Sequence, residues 1–480
     1  MIMSEKVVTR FAPSPTGFMH VGGVRTAIFA YLWAKKNSGV FILRIEDTDK
    51  KREVDGSVAH IIKTLKWLGI NWDEGPEING KNAPYKQSER LDLYKEYAQI
   101  LVNKGVAYPD PYTEEEIAAF RKKAESENKP FLFRNYRPKK FEKWDGIKSV
   151  RLKVNNVKRY EWNDLVFGNL SAGEEALDDF VLLKNDGYPT YNFAHIIDDI
   201  KMGVTHVMRG QEFISSIPKF LSLYEALETK PPCFVTLPPI LSREGNKKLS
   251  KRDGAKDILE YKNEGYLPEA MFNFLTFLGW NPGNEQEIFT KKELIDIFDI
   301  KKIQKSGAQF NEAKLSWINK EYIKKLSHDK LQDKIFERLP ENYRNKKLIP
   351  IIAERISKFA DIEKMIETGE LDFFFKQPKY QRKKLIYKNV SDKRISENIY
   401  KAILAIEKLS KESFHKENIK NALMQIANGL ENNGELLHPI RFALSGLNKS
   451  PDPFTIAEIL GKKETLSRFK KAILILKIEK

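Results

Sequence analysis

Cysteine and long apolar runs are almost absent from this sequence. Cys233 is the only cysteine in 480 residues, which excludes a disulfide framework and a zinc site built from cysteines. The longest apolar stretches, such as Met271–Trp280, are well short of the roughly 20 residues that a membrane-spanning helix requires. A basic segment followed by an apolar one, as in a secretion signal, is also missing from the N-terminus. We therefore expect a cytoplasmic protein that does not associate with membranes.

Acidic residues are too few to balance the basic ones. The chain has 82 Lys and Arg against 66 Asp and Glu, a formal net charge of +16. This excess favours a polyanionic partner, of which nucleic acid is the usual one. A generally basic surface without such a partner is the alternative, because charge alone identifies no ligand. With 41% hydrophobic and 31% charged residues, the composition is that of a folded protein, and the length suggests about three domains.

The loop Phe11–Arg25 contains neither a G-x-G-x-x-G nor a Walker motif, which argues against dinucleotide-binding and P-loop proteins. It lies between a predicted strand, Lys6–Ala12, and a predicted helix that ends at Asn37. A second strand, Val40–Asp47, completes a parallel βαβ unit. A loop at this position can bind phosphate at the N-terminus of the helix, with His20 as a further donor. A simple turn is the alternative for this motif taken alone.

A second candidate phosphate-binding stretch is the basic loop Asn246–Gly254, "NKKLSKRDG". It follows the predicted strands His206–Gly210 and Cys233–Pro238, which flank the predicted helix Ile217–Leu227. Three lysines and an arginine around Ser250 could surround a triphosphate, although a basic surface loop is more often simply solvated. Because both loops follow strands of one divided α/β sheet, the pair is more specific than either loop alone.

The rest of the chain has two different sequence patterns. From about Trp72 to Tyr188, charged helices, prolines and short strands such as Ser149–Val154 indicate an insertion into the α/β sheet. From about Asn319 onward, strand signals nearly vanish. Long amphipathic patterns such as Ile456–Leu476 predict an α-helical C-terminal region.

These motifs together resemble a known enzyme family. His20-Val21-Gly22-Gly23 and Lys248-Leu249-Ser250-Lys251-Arg252 resemble the two signatures of class I aminoacyl-tRNA synthetases, the HIGH and KMSKS motifs. The flanking stretches resemble the bacterial-type glutamyl-tRNA synthetases from about Val7 to Leu474: "RFAPSPTG", "LRIEDTD", "DGYPTYNFAHIIDD", "GVTHVMRG", "KKLSKRDG", "GYLPEAMFNFLTFLGW", "FNEAKLSWINKEYI" and "HPIRFALSG".

Three other assignments fit the sequence less well. Glutaminyl-tRNA synthetases share the catalytic half but normally end in β-barrels, which the helical C-terminal pattern argues against. The glutamyl-queuosine enzymes are shorter and lack an anticodon-binding region, for which this chain has room. A non-catalytic RNA-binding paralogue is disfavoured by the intact His20, Gly22, Lys248 and Lys251.

The resemblance implies an α/β fold: a Rossmann-like parallel-sheet catalytic domain with an inserted α+β acceptor-binding domain, followed by an α-helical anticodon-binding region. The expected boundaries are 1–71 and 189–254 for the two halves of the catalytic domain, 72–188 for the insertion, 255–325 for a stem-contact region and 326–480 for the anticodon-binding region. The implied activity is that of an ATP-dependent glutamate–tRNA ligase. Its substrates would be L-glutamate, ATP with Mg²⁺, and tRNA(Glu), with tRNA(Gln) left open. We expect a monomer.

The resemblance also assigns roles to individual residues. The glutamate-binding residues are expected to be Arg10, Ala12, Ser14, Glu46, Tyr191, His195 and Arg209. The ATP-binding residues are expected to be His20, Gly22, Glu212, the backbone at Leu241, Lys248, Ser250 and Lys251. Of these, His20, Lys248 and Lys251 are expected to act in catalysis. As isolated residues, Arg10 and Glu46 could instead form a structural ion pair, Tyr191 could belong to the core, and His195 could be a buried, satisfied histidine.

Two departures from the family pattern and two RNA-binding candidates complete the predictions. Many members carry "RGED" followed by histidine where this chain has "RGQEF", so we expect a local change around Gln211. Some members bind zinc in the insertion through cysteines; here Asp110 and Tyr112 stand near those positions, and we predict no zinc. Asn135–Lys143 and Phe373–Lys388 mix cations with aromatics, which suits RNA. Helical core is the alternative for Phe373–Phe375.

Overall fold

The computed structural model describes residues 6–175, 177–242, 244, 247–249 and 256–477. The chain divides into two compact units, Met1–Asn319 and Lys320–Lys480. Among the helices of the described ranges, none is both long and apolar enough to cross a membrane.

A mostly parallel sheet lies at the centre of the first unit. The described strands are β1 (Val8–Phe11), β2 (Val40–Leu43), β3 (Ala107–Pro109), β4 (Val150–Leu152), β5 (Tyr160–Asp164), β6 (Gly168–Ala172), β7 (Val181–Leu183), β8 (His206–Gly210), β9 (Cys233–Leu237), β10 (Ile240–Leu241) and β11 (Ala308–Gln309). The central sheet has the order β2-β1-β8-β9-β5-β6. All neighbours in it are parallel except the β5–β6 hairpin. The predicted parallel βαβ unit is therefore confirmed.

Ten α-helices are found among the described residues up to Lys324. They are α1 (Val21–Lys36), α2 (Ser57–Trp67), α3 (Leu91–Asn103), α4 (Glu114–Ser126), α5 (Tyr191–Lys201), α6 (Ile217–Ala226), α7 (Ile258–Asn263), α8 (Pro268–Thr276), α9 (Lys291–Ile297) and α10 (Glu312–Lys324). The periodic apolar residues of α1, among them Val24, Ile28 and Leu32, are fully buried, which explains why this stretch forms a helix. The backbone N–H of Asn37 ends α1 by donating to carbonyls of its last turn.

The predicted insertion contributes to two sheets. Strands β3, β4 and β7 form a separate antiparallel sheet, against which α3 packs. Strands β5 and β6, which also fall within 72–188, instead extend the central sheet. The carboxylate of Asp164 at the end of β5 accepts hydrogen bonds from the backbone N–H (3.0 Å) and the hydroxyl (2.6 Å) of Thr236 on β9. The insertion and the catalytic sheet thus share one hydrogen-bonded edge, and the finer domain boundaries stay predictions.

The described part of the second unit is helical, which confirms the prediction for the C-terminal region. Its helices are α11 (His328–Arg338), α12 (Ile349–Arg355), α13 (Asp361–Glu367), α14 (Asp392–Glu407), α15 (Lys416–Ala427), α16 (Gly434–Ser445) and α17 (Pro453–Lys477). The pattern Ile456–Leu476 is not one continuous helix, because Gly461 adopts a left-handed conformation (φ 79°) that kinks α17. Phe373 is buried in the core of this unit, as the alternative interpretation of Phe373–Phe375 had it, whereas Phe375 is 38% exposed.

Short 3₁₀ helices connect several of these elements. They are Gln87–Glu89, Phe133–Tyr136, Gln211–Ser216, Ile300–Lys302, Glu341–Tyr343, Lys346–Leu348, Asp372–Phe374 and Arg382–Lys384.

Candidate active site

A cavity of about 320 Å³ opens where β1, β8 and β9 end. Because the carboxyl ends of parallel strands meet at one edge of a sheet, the loops that follow them converge there. Most of the residues predicted from the sequence line this one cavity: Arg10, Ala12, Ser14, His20, Gly22, Glu46, Tyr191, Arg209, Glu212 and Lys248. The structure thus brings together the first signature loop, the start of the second, and the residues expected around the amino acid.

Four predicted residues are not among those that line the cavity in the described structure. His195 is buried behind the cavity, where its ring stacks on Tyr191 with 4.8 Å between ring centroids. Leu241 lies beside the cavity wall described here, and its carbonyl accepts a hydrogen bond from the backbone of Phe310. Ser250 and Lys251 lie outside the described residues.

His20 is the N-cap of α1 and also borders the cavity. Its Nδ1 accepts a hydrogen bond from the backbone N–H of Gly22 at 3.1 Å. A Cβ atom at residue 22 would come within 2.9 Å of the His20 ring, so this arrangement requires glycine. Since Nδ1 accepts, the proton of the neutral ring resides on Nε2. His20 can therefore cap the helix and still offer an N–H donor from its other nitrogen.

Arg209, at the end of β8, is a buried cation in the cavity wall. Its side chain packs against Phe213 and Phe220, each ring centroid 5.1 Å from the guanidinium carbon. The buried atoms Nε and Nη1 have no hydrogen-bond partner. Leaving buried donors of a charged group unpaired is costly, so the site suits an anionic group with two acceptor oxygens.

Arg44 and Asp199 lie behind the cavity and hold two residues that line it, Glu46 and Arg10. Arg44, which is fully buried, donates to Glu46 (2.9 Å) and to Asp199 (2.8 Å). Asp199 in turn accepts from Nε and Nη2 of Arg10, at 3.1 and 3.2 Å. Arg10 and Glu46 are therefore joined through Arg44 and Asp199, so the simple Arg10–Glu46 pair considered from the sequence is replaced by a four-residue chain.

The same network continues away from the cavity through Asp198. This buried carboxylate accepts hydrogen bonds from Gln87, Arg90 and Tyr94, each at 2.8 Å. Arg44 also lies 3.6 Å from Asp198. Each buried carboxylate thus faces cations or neutral donors, as burial of charge requires.

Burial and neighbouring charges shift several pKa values at the site. Burial alone would lower the pKa of Arg44, but the carboxylates of Asp199, Asp198 and Glu46 hold it well above its usual range. Burial raises the pKa of Glu46, against the opposing effect of Arg44 and Arg10. Burial and the nearby Arg209 hold the pKa of His195 well below its usual value, so this ring is neutral at neutral pH. Its Nδ1–H donates to the carbonyl of Tyr191 at 2.7 Å.

Glu212 and Lys248 face each other at the open end of the cavity. Their side chains form an ion pair of 3.2 Å, and both are more than half exposed. The Glu212 carboxylate folds over residue 210, where a Cβ atom would lie 2.2 Å from one of its oxygens. Glycine at 210 therefore allows the strand end and Glu212 to approach each other.

Arg25 is a cavity residue that the sequence analysis did not single out. Its guanidinium donates to the carbonyls of Leu278, at 3.2 Å, and Pro238. Burial lowers the pKa of Arg25 to about 10, which the charge of Glu212 partly opposes. Only its position one turn after Gly22 on the predicted helix could have indicated a role, because both of its partners are distant in sequence.

Asp110 and Tyr112, which stand near the expected zinc positions, have protein partners. The two oxygens of Asp110 accept from Nε of Arg151 (2.5 Å) and from the backbone of Tyr112 (3.1 Å). The Tyr112 hydroxyl donates to the carbonyl of Tyr136. Within the described ranges, no cluster of three or more His, Cys, Asp or Glu side chains could hold a metal ion. The absence of zinc stays a prediction.

Comparison with known proteins identifies the family. The catalytic-domain model of the class I tRNA synthetases (E and Q) matches residues 6–317, and an anticodon binding domain matches residues 309–473. Curated glutamate–tRNA ligases of Clostridium botulinum are 40% (strain Eklund 17B) and 42% (strain Okra) identical over at least 98% of both chains. A crystal structure of a glutamate tRNA ligase from Elizabethkingia meningosepticum, in complex with its amino acid, superposes with a TM-score of 0.86, at 37% identity over 98% of this chain and all of that one. The chain belongs to the class I tRNA synthetases of the E and Q family.

Proposed function

We propose that this chain is a glutamate–tRNA ligase that activates glutamate with ATP in the described cavity. The ligase activity follows from about 40% identity over the whole length with curated ligases of that specificity. The observation that supports the cavity as its site is Arg209, whose buried Nε and Nη1 have no hydrogen-bond partner, in the same cavity as His20. One wall offers a receptor for a carboxylate and another a helix N-terminus suited to phosphate.

The reaction has two steps. The α-carboxylate of glutamate attacks the α-phosphorus of ATP, which gives glutamyl-adenylate and pyrophosphate. The 2′-hydroxyl of the terminal adenosine of tRNA then attacks the acyl carbon and releases AMP. Neither step requires a protein nucleophile, so the residues act by positioning the reactants and stabilising charge.

At the amino acid, Arg209 binds the side-chain carboxylate of glutamate through its planar fork. Arg10 adds positive charge, and Glu46 supplies negative charge for the α-ammonium group. Tyr191 lines the cavity between these groups, and His195 supports its ring from behind. Glutamine would place an NH₂ donor against Arg209, which should disfavour it strongly.

At ATP, Nε2 of His20 donates to the phosphates, and the N-terminus of α1 adds its partial positive charge. Lys248 and Lys251 neutralise the departing pyrophosphate. Glu212 accepts from a ribose hydroxyl once ATP displaces its pairing with Lys248. Mg²⁺ enters with ATP; the carboxylates that line the described cavity, Glu46 and Glu212, each already pair with a cation, so we assign it no protein ligand.

The other partner is tRNA(Glu), and the anticodon binding domain at residues 309–473 is consistent with that substrate. We also propose that the acceptor end of the tRNA binds to the insertion. The protein is proposed to be a monomer and to be cytoplasmic. Whether tRNA(Gln) is also charged depends on side chains that read the anticodon.

Aminoacylation with radiolabelled glutamate tests the proposal directly. The chain is incubated with ATP and, separately, with purified tRNA(Glu) and tRNA(Gln). We expect labelled tRNA(Glu); charging of both tRNAs would place the enzyme among ligases that accept glutamine tRNA as well. Charging of neither, with a folded protein, would contradict the proposal.

His20→Asn is the informative control for this experiment. The asparagine oxygen can take the place of Nδ1 as the helix cap, whereas no atom replaces Nε2. Adenylate formation should therefore fall by about 10²–10³-fold with little change in thermal stability. Wild-type activity in this variant would limit His20 to a capping role.

A further inference from the structure

We propose that His60 is a positioning residue for the phosphate end of the active site, an inference that rests on the proposed function. His60 lies on α2 and is absent from the residues that line the cavity in the described structure. Its ring connects the segment before His20 to the segment that follows the second signature. Neither the family motifs nor the sequence analysis pointed to it.

The two ring nitrogens of His60 contact two different segments. Nδ1 accepts a hydrogen bond from the backbone N–H of Met19 at 3.3 Å. Nε2 lies 2.8 Å from Oδ2 of Asp257. Phe18 stacks on the ring, with 4.6 Å between centroids and 19° between the planes. The His60 side chain is only 10% exposed, so these contacts are shielded from bulk water.

This geometry fixes the tautomer of His60. A backbone N–H can only donate, so Nδ1 must accept and carries no proton. Nε2 therefore carries the proton and donates it to the Asp257 carboxylate, a charge-assisted hydrogen bond. One neutral ring satisfies both partners, and each nitrogen has a distinct role.

Asp257 has a second role that can be separated from the first. Its other oxygen, Oδ1, accepts from the backbone of Leu259 at 2.9 Å and thereby caps α7. The backbone also joins the two segments, since Ile258 donates to the carbonyl of Met19 at 3.1 Å. His60 thus reinforces a contact between the residue just before His20 and the first residues described after the second signature.

The consequence for catalysis concerns ATP rather than glutamate. His20 is the next residue after Met19, and the second-signature lysines precede Asp257 in the chain, whereas Arg10, Glu46 and Arg209 are held by other contacts. Loss of the His60 bridge should therefore misplace the phosphate-binding groups and leave the amino acid site intact. A displacement of about 1 Å is enough to slow a positioned reaction by about 10²-fold.

Single substitutions can remove the two hydrogen bonds of His60 either together or separately. His60→Ala removes both, His60→Asn keeps an acceptor for Met19, and His60→Gln keeps a donor for Asp257. Asp257→Ser retains a cap for α7 but cannot reach His60. Lys63→Ala, an exposed residue one turn further along α2, is the matched control.

Pyrophosphate exchange in the presence of tRNA provides kcat and separate KM values for ATP and glutamate, alongside a thermal unfolding midpoint for each variant. We expect His60→Ala to lower kcat/KM for ATP about tenfold, with KM for glutamate within about twofold of wild type. Asp257→Ser and His60→Asn remove only the hydrogen bond between residues 60 and 257, and His60→Gln removes only the one to Met19, so each should lose less than His60→Ala. Because the pair acts as a unit, the double variant His60→Ala/Asp257→Ser should lose no more than His60→Ala alone.

Three results would overturn the inference: full activity of His60→Ala, an equal loss for glutamate and ATP, or losses that multiply in the double variant. If His60→Ala does not fold, the same comparison of kcat/KM for ATP with KM for glutamate is made on His60→Asn and His60→Gln, and it decides whether the inference holds. Absence of exchange in the wild-type protein would instead contradict the proposed function, so the two failures are distinguishable.

Discussion

Arg44 has no exposed surface, yet it fixes two side chains that line the cavity. It holds Glu46 directly and Arg10 through Asp199. A buried guanidinium is tolerated only because three carboxylates surround it, and those carboxylates are tolerated only because cations face them. At the scale of single residues, the geometry of the proposed amino acid site thus depends on two groups, Arg44 and Asp199, that do not line the cavity.

Arg209 differs from Arg44, which three carboxylates face, because the buried Nε and Nη1 atoms of Arg209 have no hydrogen-bond partner in the described structure. Arg209→Ala should raise KM for glutamate by about 10–150-fold, the value of one hydrogen-bonded charged group, and change KM for ATP by less than about threefold. Arg209→Lys should recover little, because an ammonium group lacks the planar fork. Pyrophosphate exchange with tRNA measures both constants.

Arg159→Ala, an arginine whose side chain is 48% exposed, serves as the control and should leave both constants unchanged. Equal losses for glutamate and ATP in Arg209→Ala would argue against a specific role at the amino acid side chain.

At the scale of elements, local signals predict the N-terminal βαβ unit well. Strand β8 has the predicted bounds, and α1 ends at Lys36, with the predicted Asn37 as its C-cap. Strands β5 and β6 could not be placed in the central sheet, since the Asp164–Thr236 contact joins residues 72 positions apart. The role of Arg44 was invisible for the same reason, because its partner Asp199 is 155 residues away. Periodicity reports which face of an element is buried but does not identify the element packed against it.

The prediction that no zinc is bound concerns the region of strands β3 and β4. Arg151 on β4 neutralises Asp110 just after β3, so a metal ion would have to displace this ion pair. We expect chelator-washed protein to contain less than about 0.1 zinc per chain and to unfold at the same temperature with or without added zinc, since only a ligand that binds the native state stabilises it. Stoichiometric zinc in the washed protein would overturn this prediction. Added Mg²⁺ serves as the control for nonspecific ionic effects.

At the scale of the whole molecule, the net charge of +16 is the property that favours RNA. Several cationic side chains of the two candidate RNA-binding stretches are engaged within the protein: Arg137 pairs with Asp179, and Arg382 with Asp392. Lys139 and Lys140 in the first stretch, and Lys379 and Lys383 in the second, are exposed. Direct contact with tRNA should therefore depend on these lysines rather than on the engaged arginines.

Salt dependence of tRNA binding tests this directly. Each phosphate contact contributes about 0.7–0.9 to the slope of log affinity against log salt. The pairs Lys139→Ser/Lys140→Ser and Lys379→Ser/Lys383→Ser should each reduce that slope by about 1.4–1.8, whereas Lys230→Ser, at an exposed position outside both stretches, should not change it. A slope unchanged in one pair would remove that stretch from the tRNA interface. A wild-type affinity insensitive to salt would show that the excess charge of the chain does not serve RNA at all.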